Sequence, residues 1–564
     1  MGAPGVIVKE TAARSLSVQA GATALPVFIG KFKTKDELNK LEAGQCIPIH
    51  DWLSFSQKFT KVAAEVKFAG QSKAKGLRNR VSKSEAGEVG VKEIKGEASV
   101  FKGEAFFFEI VLNQKPADDG NMWVALGKVE KEAVKDARLI VGDRELVLEF
   151  ASSAGGLISA SAPLPKDMGN VRLRLKLETK TEEADFSIKA AVSKDRPEGA
   201  GWQKSIAAKV VPVDGNVEAD MCFNYYAIQH YFQNGGGPCY LLPLLSNEES
   251  ELSELPKVIQ TQAPDAALLV CLESGEVKKA VYSKLDTLLK NQQGYFLIAD
   301  SQEKSEAPNT TLCQTASYYP ALLTDFCAEL PADIDITLDG YKSNEGKKIA
   351  TLDGLKVINP DAHAFVVEKL ATQFGNESIT LPASAAVAGC YARNDRERGV
   401  WKAPANIELH GVQAPSVVVT NEDQDGMNAK GINAIRAFNG RGTLIWGTRT
   451  LDVDGDDWRY IPVRRLFNSV ERDIKKTVQV MMFEPNNQAT WERVRGAIDN
   501  YLRMLWRQGA LQGNSEQEAY VVKVGKGVTM DKQDIQQGKM IIEVGMAAVR
   551  PAEFILLQFS QNMQ

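Results

Sequence analysis

Residues 268–299 read LLVCLESGEVKKAVYSKLDTLLKNQQGYFLIA. Two apolar runs, 268–272 and 295–299, have the length and apolarity of buried strands. Between them, at about 276–291, lies a segment with the spacing of an amphipathic helix. Strand, helix and strand in alternation predict a mostly parallel sheet with helical cover. Upstream, 219–234 predicts a helix stopped by Gly235, Gly236 and Gly237, and 239–245 a further strand. Downstream, 463–480 and 487–508 are predicted helices, the second with Gly509 placed to end it. The segments 540–544 and 554–559 are predicted strands, and 24–30 (ALPVFIG) a buried one. The chain before it, with Val6, Ile7 and Val8 its β-rich run, has too few apolar residues for a core and needs a partner surface.

The texture changes between Lys58 and Lys209. Residues 71–96, rich in Lys, Gly and Ser, read as a mobile loop. After them come short β-rich runs at 105–112, 122–126, 137–150, 171–177 and 186–192, separated by turn signals such as Asp118-Asp119-Gly120 and Gly142-Asp143. An inserted all-β domain, a sandwich or small barrel, is expected at 58–209. The fold class is therefore a multidomain α+β and α/β protein. An N-terminal arm (1–27) precedes an α/β middle domain (28–57 and 210–395). A C-terminal domain with helices on a mixed sheet (396–548) and a last strand (549–564) complete the division.

At 564 residues the chain is too long for one core. A net charge of −5 gives no support to nucleic-acid binding, which favours a strongly basic domain. The seven cysteines are scattered, without zinc-site spacing, and read as small buried residues of a reducing compartment. The start, MGAPGVIVKE, has no basic stretch leading into an apolar one, and Val6 stands where myristoylation needs Ser or Thr. No apolar run approaches the ~20 residues of a membrane span. The histidines at 50, 230, 363 and 410 sit in unrelated contexts, with no HExxH, GxSxG or phosphate-loop pattern. Asn234-Gly235-Gly236-Gly237-Pro238 precedes a strand, so it cannot present helix N-terminal amides to a phosphate. In DVDGDD (452–457) the glycine is misplaced for a calcium loop, and Val463 stands where a bidentate Glu would close it. No catalytic residue, metal or cofactor is expected.

Long ordered stretches carry the functional signal. RGVWKAPAN (398–406), GINAIR (431–436), GRG (440–442) and WGTRT (446–450) are followed by WRYIPVRRL (458–466) and FEPN (483–486). A helix from Trp491 to Trp506 leads into RQGAL (507–511), and VRPAEFI lies at 549–555. Nearer the start stand PGVIVKE (4–10), Ile29-Gly30, FNYY (223–226) and FQNGGGPCY (232–240). In this order they resemble the contractile phage-tail sheath proteins. The NGGGPCY segment most resembles extracellular contractile injection systems, with R-type pyocins and myophage tails as alternatives. Residues 58–209 match no part of that pattern, and the family's variable outer domains make an outer position the expectation.

The resemblance implies a structural subunit, not an enzyme, that polymerises helically around an inner tube and contracts to drive the tube through a target membrane. An enzyme with a β-sandwich binding domain is the distant alternative. Implied partners are further copies of the chain, paralogous sheath subunits, the inner tube, and baseplate and terminal cap proteins, with no nucleic acid and no membrane insertion. The implied setting is a phage tail-like particle made in a bacterial cytoplasm and released by lysis. In the helix 487–508, Trp491, Val494, Ile498, Tyr501, Leu502 and Leu505 share one apolar stripe. Glu492, Arg493, Arg495, Asp499, Arg503 and Arg507 lie opposite. The corresponding helix of the family faces the tube, which implies tube contact for Arg493, Arg495, Asp499, Arg503 and Arg507. The family's arms add strands to neighbouring subunits, which implies inter-subunit linkage through Val6, Ile7 and Val8 and through Phe554, Ile555, Leu556 and Leu557.

Overall fold

The structure is a computed structural model that describes residues 17–553 with breaks. The longer breaks are 36–40, 70–79, 82–89, 165–169 and 178–183; the others span one to four residues. The chain forms two compact units: 1–61, 222–327 and 378–564 make the first, 62–221 and 328–377 the second.

The first unit is organised by a nine-stranded mixed sheet. Its strands are β1 (Pro26–Gly30), β2 (Ile47–Ile49), β3 (Cys239–Pro243), β4 (Leu268–Cys271), β5 (Phe296–Asp300), β6 (Thr315–Tyr319), β7 (Ile407–Glu408), β8 (Ile432–Phe438) and β9 (Gly442–Trp446). The order is β2-β3-β1-β4-β5-β6-β8-β9-β7, parallel from β3 to β8 and antiparallel at both margins. β1 is buried along its whole length because it is paired on both sides and covered on both faces, as its unbroken apolar run requires. The helices Glu249–Gln262 and Gly275–Lys290 cover one face through Leu252, Leu255, Val281 and Leu285. Two others, α1 (Asn224–Gln233) and α2 (Ser384–Arg398), pack together; α2 also lies on β4 and β5, and Tyr231 of α1 meets the ring of Phe28 edge-on. One sheet thus runs through what was expected as separate middle and C-terminal domains.

Further along the chain come α3 (Asn421–Asn428), α4 (Ile461–Gln479), α5 (Gln488–Arg507) and the hairpin of β10 (Tyr520–Val524) and β11 (Ile542–Met546). Leu466, Val470, Val494, Ile498 and Leu502 join α4 to α5, and Tyr520 brings the hairpin onto the same core. Asn487 caps α5 by accepting from the Thr490 amide, and Gly509, at φ +80°, follows its last turn.

The second unit holds a β-sandwich. A five-stranded and a seven-stranded sheet share one core, in which Phe106, Phe108, Leu139 and Leu173 of one meet Leu126, Phe186 and Ile188 of the other. Strands were predicted at 105–112, 122–126, 171–177 and 186–192; they are Phe106–Leu112, Gly120–Gly127, Asn170–Leu177 and Ala184–Ser193. The run 137–150 is a hairpin of Val134–Val141 and Arg144–Val147 turning at Gly142. Three expectations need correcting. The end of the predicted loop 71–96 is a strand, Val91–Lys95, whose alternation is hidden by a register shift between Val91 and Glu93. The predicted helix 219–234 is a strand, Asn216–Cys222, followed by the shorter α1. Residues 328–377, expected with the middle domain, belong to the second unit because Ile336–Asp339 pairs in parallel with Ala63–Ala69.

Candidate functional site

The helix α4 carries charge on the side that faces the core. Arg464, Arg465, Asn468 and Asp473 are all buried, as are Leu466 and Val470 of the same helix. Burying an ion is tolerated only where it is paired and hydrogen-bonded. Arg465 meets this condition on Asp395 of α2: Nη1 donates to Oδ1 at 3.1 Å and Nη2 to Oδ2 at 2.6 Å, with side chains only 2 % and 5 % exposed. Its guanidinium also lies 4.5 Å from the centre of the Tyr391 ring. Arg464 donates to Asn468 and Glu471 and lies 4.0 Å from the Trp458 ring centre.

These buried charges hold the chain where it enters the body. The Thr23 hydroxyl donates to Asp395 at 2.6 Å, and the Thr23 carbonyl accepts from Arg465 at 3.1 Å. Arg472 donates to the Ala22 carbonyl at 2.8 Å, and the Gly21 amide donates to Asp473 at 3.1 Å. A Cβ at position 21 would lie 2.9 Å from the Asp473 carboxylate, so glycine permits this approach. The other oxygen of Asp473 accepts from Tyr501 of α5 at 2.7 Å. Burial, and then the Asp473 charge, push the Tyr501 phenol far above its ordinary pKa, so it stays a donor. Burial lowers the Arg472 pKa below its ordinary value, with the Asp473 charge opposing that shift. One carboxylate therefore joins α4, α5 and the incoming chain.

The opposite end is held in the same way. Arg449 grips Glu553 through Nε and Nη2, both at 2.8 Å, while its Nη1 donates to the Asn428 carbonyl. Tyr460 donates to Glu553 at 3.3 Å; burial and then the Glu553 charge raise its pKa. Thus Gly21 to Thr23 and Glu553 are fixed points beside the two expected linking segments. Val6, Ile7, Val8, Phe554, Ile555, Leu556 and Leu557 themselves lie outside the described residues. Close by, β10 and β11 form a sheet of two strands; among the described residues no third strand pairs along either, and just beyond β11 residues 510–512 pair with 547–549.

The outward face of α5 divides its charges unevenly. Arg493, Arg495 and Arg507 are exposed, whereas Asp499 and Arg503 are half-buried. Arg503 meets Asp499 and Glu516, each at 3.0 Å, and Arg495 meets Glu492 at 2.5 Å. Arg493 and Arg507 make no ion pair among the described residues and have the most to offer a partner. Asp395, Arg449, Arg465 and Asp473 were not singled out from sequence. For Arg465 and Asp473 the signal was charge at helical spacing among the apolar residues of α4, and Arg449, Arg465 and Glu553 lie within the quoted motifs.

A cleft of about 560 Å³ beside the helix Gly275–Lys290 is lined by Lys278, Asp286, Asp300 and Glu306. Lys278 and Asp300 neutralise one another at 2.8 Å, and Ser384 donates to Asp300 through both its amide and its hydroxyl. Among the described residues there is no group of three or more His, Cys, Asp or Glu that could hold a metal ion. No helix of the described residues is long and apolar enough to cross a membrane.

The phage tail sheath protein central domain matches residues 324–451, and the phage tail sheath C-terminal domain matches residues 453–562. The structure is similar to a chain in the cryo-EM structure of the anti-feeding prophage helical sheath in the contracted state, with 32 % identity, full coverage of both chains and a TM-score of 0.56. It is likewise similar to a chain of the six-fold symmetrised baseplate of that prophage, with 32 % identity, full coverage of both chains and a TM-score of 0.55. Among curated proteins, a putative prophage major tail sheath protein of Pseudomonas aeruginosa is 32 % identical over 47 % of this chain and 64 % of its own. The tail sheath proteins of Vibrio phage KVP40 and Enterobacteria phage T4 are matched over only 21 % and 19 % of their lengths. On its motifs, its fold and these full-length similarities, the chain belongs to the contractile tail sheath family.

Proposed function

We propose that the protein is the repeating subunit of the sheath of an extracellular contractile injection particle. It polymerises helically around an inner tube and contracts to drive that tube through a target membrane. The observation that carries the reading is the pairing of two pinned chain segments with a hairpin along which, among the described residues, no third strand pairs. An isolated pair of strands is marginal in water, so β10 and β11 are suited to accept strands from neighbouring copies. The segments before Gly21 and after Glu553, with Val6 to Val8 and Phe554 to Leu557, are the donors. Their backbone hydrogen bonds keep the lattice connected while the bodies move, and the buried roots at Asp395, Asp473 and Arg449 transmit the pull into the core. Attachment to the tube runs through Arg493, Arg495 and Arg507, because exposed charge pairs are individually weak and therefore separable. The full-length similarity to the anti-feeding prophage sheath, against matches to only 21 % and 19 % of the phage KVP40 and T4 sheath proteins, supports this machine over a phage tail.

The test is deletion of residues 1–16. The cut stops short of Val18, which packs in the core, and of the pinned residues 21–23. The truncated protein is expected to remain soluble, with the melting temperature of the intact chain, and to lose polymerisation in sedimentation and electron microscopy. Truncated subunits that still pellet as ordered tubes would place the linkage in the domain bodies.

A further inference from the structure

The turn joining α4 to α5 exposes what a soluble surface normally hides. Phe483 is fully exposed and sits at φ +70°, a region that bulky side chains rarely adopt. Val480 is 69 % and Met482 60 % exposed, while Met481 between them is buried and anchors the turn. The strained backbone thus presents three apolar side chains outward, and strain of this kind concentrates where surfaces act. Lys475, just ahead of the last turn of α4, and Lys539, whose carbonyl accepts from Asn486 beside the turn, give its rim a basic character that Glu484 only partly offsets.

A second apolar surface lies elsewhere on the same unit. Val418 is 80 % exposed and Val417 is also exposed, while Val419 is buried against Met427 and fixes the segment. The first turns of α3 follow at once, and Glu422 and Asp425 are exposed there. Lys304, paired with Asp423, and Lys430, which donates to the Ser305 carbonyl, are counter-charges on this side. The two surfaces are alike in apolar character and opposite in the charge of their rims.

We propose that the Val480–Met482–Phe483 turn of one copy docks on the Val417–Val418 surface of the next copy of this chain. Two different surfaces meeting in this way build an open helical series instead of a closed dimer. An apolar contact suits partners that stay together, whereas a tube must be released. The proposal rests on the sheath reading above, but it concerns contacts between bodies and is independent of the strand-donating arms.

A photo-crosslinking amino acid at position 483 of the full chain, assembled without tube protein, tests it. The expected product is a dimer of the chain whose crosslinked peptide falls in residues 415–428. Crosslinks confined to other regions, or none, would overturn it. When particles are assembled with the tube, an adduct to the tube protein would do the same. A second measurement separates docking from folding. Phe483→Gly relieves the positive φ, so its melting temperature should equal or exceed that of the intact chain while assembly falls at least tenfold. Normal assembly, or a lowered melting temperature, contradicts the proposal. The charge pattern gives a third. Glu422→Lys with Asp425→Lys should prevent pelleting, and adding Lys475→Glu with Lys539→Glu should restore it; failure to restore counts against the pairing. Unmodified chain that forms no polymer would defeat the sheath reading as well, whereas polymer unaffected by these changes defeats only the docking.

Discussion

At Arg465 a charge is held almost out of water, between a carboxylate and an aromatic ring. Its partner Asp395 also receives the Thr23 hydroxyl, so removing the guanidinium strands a buried carboxylate and unfastens residues 21–23 together. Arg465→Leu should therefore destabilise the first unit by about 3–5 kcal/mol, read from denaturant midpoints. Asp395→Asn with Arg465→Leu should recover part of that loss, because no charge is then left unpaired. Asp423, at the start of α3, differs because it is half-buried and open to solvent on one side. Lys304 first, then the Thr420 amide and hydroxyl, hold its carboxyl at about 2. A folded pKa below the unfolded one stabilises above the unfolded value, near 3.8, and the contribution is lost as pH falls through about 2. Asp423→Asn should consequently flatten the acid limb of a stability–pH curve between about pH 4 and 2. These residues were poorly legible in sequence. An arginine beside an apolar stripe reads the same whether it faces solvent or a buried carboxylate, and Asp395 lies 70 positions away from its partner.

The elements were far more legible. The stripe of α5 from Trp491 to Leu505 is buried as its spacing predicts, and the strands flanking residues 276–291 lie where two short apolar runs placed them. The strand Val91–Lys95 was hidden because a shifted register breaks the two-residue period on which such readings depend. The outward face of α5 needed coordinates, since the sequence cannot say which arginines are already engaged. Arg503→Glu puts a third carboxylate beside Asp499 and Glu516 and should lower the melting temperature only slightly, since pairs this open to solvent are individually weak. Arg493→Glu with Arg507→Glu should change stability by less than about 0.5 kcal/mol, as both side chains are exposed. That double variant should nevertheless shift particles from extended sheath on tube to contracted or tube-free sheath in electron micrographs. Raised salt should act in the same direction through screening. Gly496 lies on this face with nothing within 4 Å of the position a Cβ would take. Gly496→Ala should therefore stabilise the helix by about 0.5–1 kcal/mol in thermal unfolding.

For the whole molecule, the second unit is built from two separate stretches of chain, which decides how it can be removed. The expected insertion at 58–209 includes Ala63–Ala69, yet that strand completes a three-stranded sheet with Ile336–Asp339 and Asn216–Cys222. Phe68 stacks on Tyr341, their ring centres 5.5 Å apart, and also meets Phe365. Excising 58–209 would uncover Ile336, Leu338 and Tyr341, all buried in the intact unit, and leave an unpaired strand edge. Such a deletion should give insoluble protein, and its failure to assemble would say nothing about the sandwich. Deleting 82–211 and joining the ends by a flexible linker removes the sandwich core and keeps Ala63–Ala69 and Asn216–Cys222. The sandwich has its own core of Phe106, Phe108, Phe186 and their neighbours, so its loss need not disturb the small sheet. If the sandwich stands on the outside of the particle without a part in the lattice, the shortened chain should stay soluble and form tubes with unchanged helical repeat. Cryo-electron microscopy of those tubes is the check. Soluble, folded protein that forms no tubes, or tubes of altered repeat, would show that the sandwich takes part in the contacts between subunits.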